Sequence, residues 1–278
     1  LQLNDVLPDI RVEKTIHSDI RLGHKVSFIG IDIKDPKDIK NVYVLSSTLR
    51  TALFKLKKFQ KNLKELVVQI DPDIIHAHNI FFARAALDLG YPLVYNDHEY
   101  WSRDTLASHP FALPWTREYY KKKITWLYRY LKIRRWEKEV LSKSVVIVTH
   151  EKVAEVYRGI CKGVFVIPNQ PEREEVQEIW KFAITSEREY DAVYIGKDMS
   201  RKSVPFRQSH QAYALLHKKG VKLIVIGDPK LKTDKYVKSV GYIPHNEIYK
   251  YTIKAVTGLI PWKPHFSQQY KDSNKFYI

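Results

Sequence analysis

Short apolar runs alternate with longer helical patterns along the first part of the chain. β-Branched and aromatic residues dominate the short runs, as in HKVSFIGI and SVVIVT, whereas leucine recurs at helical spacings in the longer stretches. Strands separated by helices in this way are typical of βαβ units around a parallel sheet. The pattern predicts strands at 24–31, 41–46, 73–78, 92–97, 144–149 and 164–168, and helices near 10–21, 50–69, 80–89, 115–141 and 151–158.

The alternation lapses between residues 170 and 190, where the sequence is charged and has no strong period. It then restarts, with strands predicted at 191–196, 221–227, 236–243 and 255–261 and helices at about 204–219 and from about 245. A chain of 278 residues exceeds the usual size of one domain, roughly 100–200 residues. The predicted fold class is α/β, with tandem Rossmann-like doubly wound domains at 1–169 and 191–278, joined by a linker at 170–190.

Neither predicted domain looks complete from its pattern. The first lacks an apolar strand before LNDVLPDIRVEK, and the second stops a few residues after a strand, so we expect a trimmed form of a longer protein. No run of 18 apolar residues and no signal-like segment is present, which favours a cytoplasmic protein. The single cysteine, Cys161, excludes an internal disulfide and a cysteine-based zinc site.

Polar side chains follow two of the predicted strands. His76 and His78 end the strand at 73–78 and project to one face because they are two residues apart. Asp97, His98 and Glu99 follow the next strand, where the carboxylates are expected to orient the imidazole and set its protonation. Because ligands bind at the carboxyl ends of parallel strands, these residues predict a site in the cleft between the domains.

Three interpretations of these histidines remain open. A metal-dependent hydrolase could use His76, His78, His98 and Asp97 to hold Zn²⁺ or Fe²⁺, although H-x-H alone is a weak signal. The histidines could instead be structural, with one capping the strand end and the other packing beneath the next helix. The third interpretation is direct contact with a bound substrate, which the strand-end position favours for His78.

A cationic turn begins the second predicted domain. Lys197, Arg201 and Lys202 lie between the strand at 191–196 and a helix expected near Val204. Cations together with the N-terminal amides of a helix favour phosphate. Neither G-x-x-x-x-G-K-[ST] nor G-x-G-x-x-G is present, which argues against a P-loop ATPase or an ordinary dinucleotide enzyme. The alternative is a set of solvated surface charges.

Charge is concentrated in one aromatic segment. The net charge of the chain is +16, and residues 117–143 alone hold ten basic and three acidic residues, interleaved with tyrosine and tryptophan. A helix of this composition could lie on an anionic membrane, with residues 115–143 as the contact region and a lipid-linked acceptor nearby. It could also be an amphipathic helix with a solvated basic face. Nucleic acid binding, through stacking and phosphate contacts, is the least favoured interpretation.

An ordered series of motifs covers nearly the whole chain: VLPDIRVEK, RLGHKV, PDIIHAHN, PLVYNDHEYWS, VVIVTHEKVAEVY, VFVIPNQP, YIG-x₄-RK, LIVIGD, VGYIPHNEIYKY and SNKFY. In this order the motifs resemble those of the nucleotide-sugar glycosyltransferases of family four, which have the GT-B fold. The resemblance implies transfer of a sugar, with retention at the anomeric carbon, from a nucleoside diphosphate sugar to an unknown glycan, lipid or protein acceptor. It implies no metal, and no cofactor besides the nucleotide-sugar co-substrate.

The resemblance also implies roles for particular residues. His98 matches the histidine beside the donor sugar at the reaction centre. Lys197 and Lys202, with Arg201 beside them, match the cations on the donor diphosphate, and the loop at 241–244 matches one that lies against the nucleobase. Members usually have a ribose-binding carboxylate shortly after the motif matching residues 273–275, and we expect its absence here to reflect truncation, with an inactive relative as the alternative. The remaining expected residues are Gly227, Asp228, Tyr242 and Ile243 for the nucleoside, and Asp9, Arg11, His78 and Glu99 on the acceptor side.

Overall fold

The computed structural model describes residues 1–7, 9–34, 39–107, 117–183, 187–197, 199–200 and 208–261. The chain divides into two compact units, one formed by residues 1–168 and the other beginning at Asn169. Each unit contains its own parallel sheet, and helices connect several of the strands. The predicted fold class, α/β with two Rossmann-like domains, is confirmed.

The first unit has nine strands and seven helices in its described residues. Its strands are β1 (Gln2–Leu3), β2 (Val6–Leu7), β3 (Ser27–Gly30), β4 (Asp32–Ile33), β5 (Asn41–Val44), β6 (Ile75–Ala77), β7 (Leu93–Asp97), β8 (Val145–Val148) and β9 (Gly163–Val166). Its helices are α1 (Ile10–Arg21), α2 (Leu49–Phe54), α3 (Leu56–Ile70), α4 (Ile80–Ala86), α5 (Trp101–Ala107), α6 (Arg117–Leu141) and α7 (Glu151–Tyr157).

Seven of these strands form one parallel sheet in the order β5-β3-β1-β6-β7-β8-β9. Counted along the chain, that order is 3-2-1-4-5-6-7, which extends the Rossmann order by one strand. The order reverses between β1 and β6, where Gln2 pairs with His76 and Leu3 pairs with Ala77. Open parallel sheets bind ligands outside the carboxyl ends of the strands at such a switch point, so the fold favours a site at the end of β6.

The structure corrects several predicted elements of this unit. The first domain does not lack its first strand, since β1 precedes Asn4 and lies in the middle of the sheet. The two residues of β1 are too few to give a periodic pattern in the sequence. The helix predicted at 50–69 breaks at Lys55 into α2 and α3. Leu53 and Phe59 are both buried in the same core, yet in one continuous helix residues six apart point about 120° apart. The break therefore lets both side chains face the core.

The second unit contains four described strands and three helices. They are α8 (Arg173–Ala183), β10 (Tyr190–Ile195), α9 (Ser209–Lys218), β11 (Leu223–Ile226), β12 (Val237–Gly241), α10 (His245–Thr252) and β13 (Ala255–Leu259). The strands form a parallel sheet in the order β12-β11-β10-β13, again a 3-2-1-4 order. Residues 204–207 of the helix predicted at 204–219 lie outside the described residues.

The segment predicted as a linker contains helix α8. Val176 and Ile179 are partly buried, whereas Arg173 and Glu174 are exposed. Glu175 lies 3.6 Å from Nδ1 of His245 at the start of α10. The high charge of residues 170–190 conceals this amphipathic helix in the sequence, because few apolar positions define its period.

Candidate functional site

Three histidine rings form a column at the carboxyl ends of β6 and β7. The ring centroids of His76 and His78 are 4.5 Å apart, and their planes differ by 22°. The rings of His78 and His98 are nearly parallel, at 4°, with centroids 5.6 Å apart. The prediction that His76 and His78 share a face is confirmed, and His98 joins them from the turn after β7.

Gln2 connects this histidine column to helix α1. Its Nε2 donates to Oδ2 of Asp19 at 2.6 Å, and the same nitrogen lies 3.3 Å from Nδ1 of His76. Its Oε1 lies 2.5 Å from Nε2 of His78. Gln2 is buried and is the register partner of His76, so its side chain faces the same side of the sheet as the histidines. The column is therefore anchored by a glutamine and an aspartate.

His78 contacts other protein side chains and is not open to a substrate. Its Nδ1 lies 3.3 Å from Nε2 of His98, and its Nε2 is engaged by Gln2. The residue is 3% exposed. The expected contact of His78 with the acceptor is corrected accordingly, because the protein already uses both nitrogens that a sugar hydroxyl would need. His78 supports His98 instead.

The sequence predicts that the carboxylate of Asp97 orients His98, but in the structure Asp97 bonds to other groups. Asp97 accepts a hydrogen bond from the hydroxyl of Tyr157 at 2.6 Å. It also accepts from the backbone N–H groups of Glu99 and Tyr100, at 3.3 and 3.1 Å. These bonds shape the turn after β7 that contains His98 and the half-buried Glu99. Asp97 therefore fixes the backbone of the turn, while His78 contacts the imidazole.

Burial keeps the three imidazoles neutral at neutral pH. It lowers the pKa of His76 to about 4, and it lowers the pKa values of His78 and His98 well below their usual range. The positive charge of Arg11 lowers the pKa of His98 further. Nδ1 of His98 is shielded from solvent and has no hydrogen-bond partner among the described residues. An unsatisfied buried polar atom is rare in proteins, and it marks a position where function is expected.

Asp9 and Arg11, expected on the acceptor side, lie at the start of α1. Asp9 caps this helix by accepting from the N–H of Arg11 at 3.0 Å, and its Oδ1 lies 3.6 Å from Nε of Arg11. Both side chains are about a quarter exposed, at 26% and 24%. Asp9 therefore has a structural task, and Arg11 acts on His98 through its charge. Their contact with an acceptor stays a prediction, as it does for Glu99.

Asn79 organises the backbone where β6 ends. Its Oδ1 accepts from the N–H groups of Phe81 and Phe82, which caps α4, and its Nδ2 donates to Asn4 and Asp5 after β1. The loops at the switch point are thus tied together by side-chain hydrogen bonds. Asp5 lies in a poorly solvated position beside the end of β6, and this burial raises the pKa of its carboxyl group.

Two buried acids lie next to the turn that contains His98. Glu137 of α6 is 4% exposed and accepts from the N–H of Ser102 at 2.7 Å. Burial, and then the nearby charge of Asp97, raise the pKa of Glu137 to about 8. Burial also raises the pKa of Asp97. Protonation of this acid pair is therefore linked to the stability of the first unit.

The loops after β10 and β11 approach each other in the second unit. Gly227 has a φ of 93°, in the left-handed region that favours glycine. A Cβ atom at this position would lie 3.6 Å from the backbone of Gly196. Lys197, expected on the donor diphosphate, follows Gly196 and is exposed. Arg201 and Lys202 lie outside the described residues.

Asp228 holds these two loops together. It is 1% exposed, and its carboxylate accepts from the N–H and hydroxyl of Ser200, at 2.7 and 2.9 Å. It also accepts from the N–H of Lys230 at 3.2 Å. Its expected contact with a nucleoside stays a prediction, and the geometry gives it a structural task within the second unit.

The loop after β12 contains the exposed aromatic ring of Tyr242. Gly241 turns the chain with a φ of 73°, and Tyr242 is 70% exposed. Ile243 packs into the apolar cluster of the sheet with Val240 and Ile248. An exposed ring on an anchored loop is a surface on which a base can stack, as expected for the nucleoside side of the site.

Helix α6 exposes a stripe of apolar residues. The stripe residues recur at three- and four-residue spacings and therefore lie on one face of the helix. They are Tyr120, Ile124, Leu127, Tyr128 and Leu131, each between 42% and 69% exposed. Tyr128 also stacks on Phe54 of α2, with centroids 5.7 Å apart. In the described part of the chain, no helix combines the length and the apolarity needed to cross a membrane.

The metal-site interpretation gains no support from the geometry. Within the described ranges, no group of three or more histidine, cysteine, aspartate or glutamate side chains is placed to hold a metal ion. The histidine rings stack, and nitrogens of His78 face Gln2 and His98. The hydrolase interpretation therefore rests on the H-x-H spacing alone.

The sequence pattern does not mark Gln2 and Asp19 as site residues. Gln2 lies in a strand of two residues, and Asp19 is one of several charged residues on α1. The signal that could have found Gln2 is pairing of the first residues with the strand that ends in HAH, because alternation then puts position 2 on the histidine face.

Comparisons with known proteins bear on the family and the fold of the chain. A model of Glycosyltransferase Family 4 matches residues 17–170, which is more than half of the 278 residues. No curated protein matches the sequence.

Several solved structures have a similar fold. Sucrose-phosphate synthase from Thermosynechococcus elongatus is 14% identical, with a TM-score of 0.64 over 98% of this chain and 76% of that chain. WaaG, a glycosyltransferase involved in lipopolysaccharide biosynthesis, is 14% identical, with a TM-score of 0.60 over 94% of this chain and 74% of that chain. Os79 from O. sativa, in complex with UDP, is 10% identical, with a TM-score of 0.58 over 92% of this chain and 75% of that chain. At these identities the likeness concerns the fold.

Proposed function

Because the chain belongs to glycosyltransferase family 4, we propose that it transfers a sugar from a nucleoside diphosphate sugar, with His98 beside the reacting sugar. The observation that supports this role most is the unsatisfied Nδ1 of His98, at the carboxyl end of a parallel sheet and backed by the buried His78. A neutral imidazole in this position can bond to a sugar hydroxyl without adding a charge. Retention at the anomeric carbon is proposed on the resemblance alone.

The donor diphosphate is proposed to bind at the carboxyl end of β10. Lys197 is exposed there, and Arg201 and Lys202 follow it in the sequence. Negative charge grows on the diphosphate as the sugar leaves, so fixed cations stabilise the transition state more than the bound donor. Each such interaction is worth about 2.7–4 kcal/mol, by analogy with the loss of one oxyanion-hole donor. Tyr242 is the proposed platform for the nucleobase.

Titration calorimetry with UDP, GDP and ADP, and with the corresponding nucleosides, tests the donor site. Lys197→Ala should weaken binding of the preferred nucleoside diphosphate about 10- to 100-fold, the range for losing one hydrogen bond to a charged group. Binding of the bare nucleoside should not change, because it has no phosphate for the lysine to contact.

Lys222→Ala is the matched control for this titration. Lys222 is also exposed, but it immediately precedes β11 and so lies at the amino end of the same sheet. The control should bind the diphosphate as wild type does. Equal affinity of Lys197→Ala and wild type would move the phosphate site elsewhere, and a wild type that binds none of the three diphosphates would contradict the proposed donor.

We further propose that α6 lies on an anionic membrane surface. The exposed stripe gives the helix an apolar face. Residues 117–143 contain ten basic and three acidic residues, so the region around this face is positively charged. Interfacial helices bind through apolar burial together with attraction to anionic lipid. Ile124 and Leu131 are 69% and 54% exposed. Aliphatic side chains are stabilised by burial among lipid acyl chains, whereas they do not stack on nucleobases. These two residues therefore favour lipid over nucleic acid as the partner of α6.

A further inference from the structure

We propose that Gln2 and Asp19 are positioning residues which, through His78, fix the tautomer of His98 so that its Nδ1 presents a lone pair to the substrate. The inference rests on the proposed role of His98 and adds the residues that decide which ring nitrogen has the proton. It concerns a connected chain of four side chains that runs from α1 through β1 and β6 to the turn after β7.

The first step is the orientation of the Gln2 amide. An ionised carboxylate only accepts hydrogen bonds, so the group 2.6 Å from Oδ2 of Asp19 must be the NH₂ of Gln2. The amide oxygen then points the other way, to within 2.5 Å of Nε2 of His78. A flipped amide would put two acceptors against each other at Asp19. Asp19 therefore fixes which end of Gln2 faces the histidine.

The second step is the tautomer of His78. The amide oxygen of Gln2 has no proton to give, so Nε2 of His78 must donate. A neutral imidazole has one N–H, which leaves Nδ1 of His78 as an acceptor. His78 is deeply buried and lies between two other imidazoles, which disfavours a second proton on its ring.

The third step transfers this choice to His98. Nε2 of His98 lies 3.3 Å from the bare Nδ1 of His78, so Nε2 must donate. Nδ1 of His98 is then the bare nitrogen, and of the two nitrogens of this ring it is the one without a partner among the described residues. The nearby positive charge of Arg11 disfavours protonation there. His98 is thus prepared to accept a hydrogen bond, and a sugar hydroxyl is a donor of the required kind.

Imidazole ¹⁵N NMR of the full chain labelled at its 11 histidines tests the relay directly. Protonated and bare nitrogens of a neutral imidazole have well-separated shifts, and His98→Ala identifies the signals of that ring. Wild type should show His98 with a bare Nδ1 and a protonated Nε2 at pH 7. Gln2→Met keeps the length of the side chain and removes the three polar contacts of the amide, to Asp19, His76 and His78. This variant should move His98 to a mixture of tautomers with intermediate shifts.

Asp19→Asn provides a second variant with less risk to folding, since Asp19 is only partly buried. An asparagine at position 19 can donate as well as accept, so Gln2 is free to flip and the tautomers should again mix. Asp73→Asn, at an exposed position before β6, should leave the wild-type spectrum unchanged. A wild-type His98 protonated at Nδ1 would overturn the relay, as would unchanged tautomers in Asp19→Asn.

Kinetics separate the relay from a merely structural effect. Asp19→Asn should lower kcat about 10- to 100-fold, the loss seen when the outer partner of a metal-binding imidazole is removed. Its affinity for the preferred nucleoside diphosphate should equal that of wild type, because the relay lies in the first unit. A wild type with the expected tautomers that binds no nucleoside diphosphate would contradict the proposed donor and leave the relay standing.

Discussion

Polar side chains are buried around β6 and β7 because most of them bond to one another. Gln2, His78 and Asp97 are each no more than 3% exposed, and each has at least two hydrogen-bond partners. A buried polar group left without a partner costs about 1–3 kcal/mol. Among the described residues, Nδ1 of His98 and Nε2 of His76 are exceptions to this pattern. Because His98 lies at the carboxyl end of the sheet, where ligands bind, we expect a bound ligand to be the partner of its Nδ1.

Glu137 should make the stability of the first unit depend on pH. Its pKa is about 8 in the folded chain, against an ordinary value of 4.5. Between these values the folded state keeps a proton that the unfolded state has released, so the free energy of unfolding falls as pH rises through this window. Glu137→Gln retains an oxygen for the N–H of Ser102 and cannot ionise. It should be more stable than wild type at pH 8.5, by about 1–3 kcal/mol.

Urea unfolding of wild type and variant at pH 5.5, 7 and 8.5 measures this effect. Glu65→Gln, at an exposed position of α3, is the matched control and should follow wild type at every pH. A Glu137→Gln variant with the same decline in stability as wild type would show that Glu137 does not titrate in this range. Asp97 remains in all three proteins but titrates together with Glu137, so the difference between wild type and Glu137→Gln reports on the acid pair.

The sequence predicts individual residues better than their connections. The two-residue spacing of His76 and His78 is enough to put them on one face. The partner of His98 cannot be deduced in this way, because chain neighbours such as Asp97 are more conspicuous than Gln2, which is distant in sequence. Only the register of β1 against β6 brings Gln2 to the column.

At the scale of elements, extended apolar patterns make an element predictable. Strands such as β7 and β8 and the long helix α6 are predicted within a few residues, because their apolar patterns extend over several positions. Strand β1 has only two residues and gives no period. Helix α5 is missed although α4 and α7, also of seven residues, are predicted, so length does not explain that miss. Helix α8 has eleven residues but a highly charged sequence. Predictions at 262–278 fall outside the described residues.

Helix α6 should bind anionic vesicles through its charge and its apolar stripe. Changing Lys121, Lys122 and Lys123 together to Glu should abolish sedimentation with vesicles of phosphatidylcholine and phosphatidylserine, since each basic residue near such a surface contributes about 1 kcal/mol. Ile124→Ser with Leu131→Ser should weaken binding by removing apolar contact while leaving the charge unchanged. Vesicles of phosphatidylcholine alone should bind wild type poorly.

The control for charge is the same triple reversal at exposed lysines of the second unit. Lys218, Lys219 and Lys222 are all exposed and lie outside α6. Their change to Glu alters the net charge equally and should leave most vesicle binding intact. Equal losses in the two triple variants would mean that overall charge, and not α6, attracts the protein to lipid.

For the whole molecule, two parallel sheets that share the strand order 3-2-1-4 each place polar residues at their carboxyl ends. The first sheet has the histidine column there, and the second has Lys197, the close loops at Gly196 and Gly227, and the exposed Tyr242. The fold itself indicates where ligands bind and not which ligands they are. Membership of the family indicates sugar transfer. From the residues at each edge, we propose that the first sheet provides the sugar chemistry and the second binds the nucleotide.

Sugar transfer by wild type and His98→Ala, measured beside their affinity for the preferred nucleoside diphosphate, tests the central claim most directly. The measured quantity is release of nucleoside diphosphate from UDP-, GDP- and ADP-sugars with candidate acceptors. His24→Ala, at an exposed position, is the control and should match wild type. His98→Ala should stay folded and bind the diphosphate normally, yet transfer sugar about 100-fold more slowly or worse. A folded His98→Ala variant that transfers sugar at the wild-type rate would contradict the account.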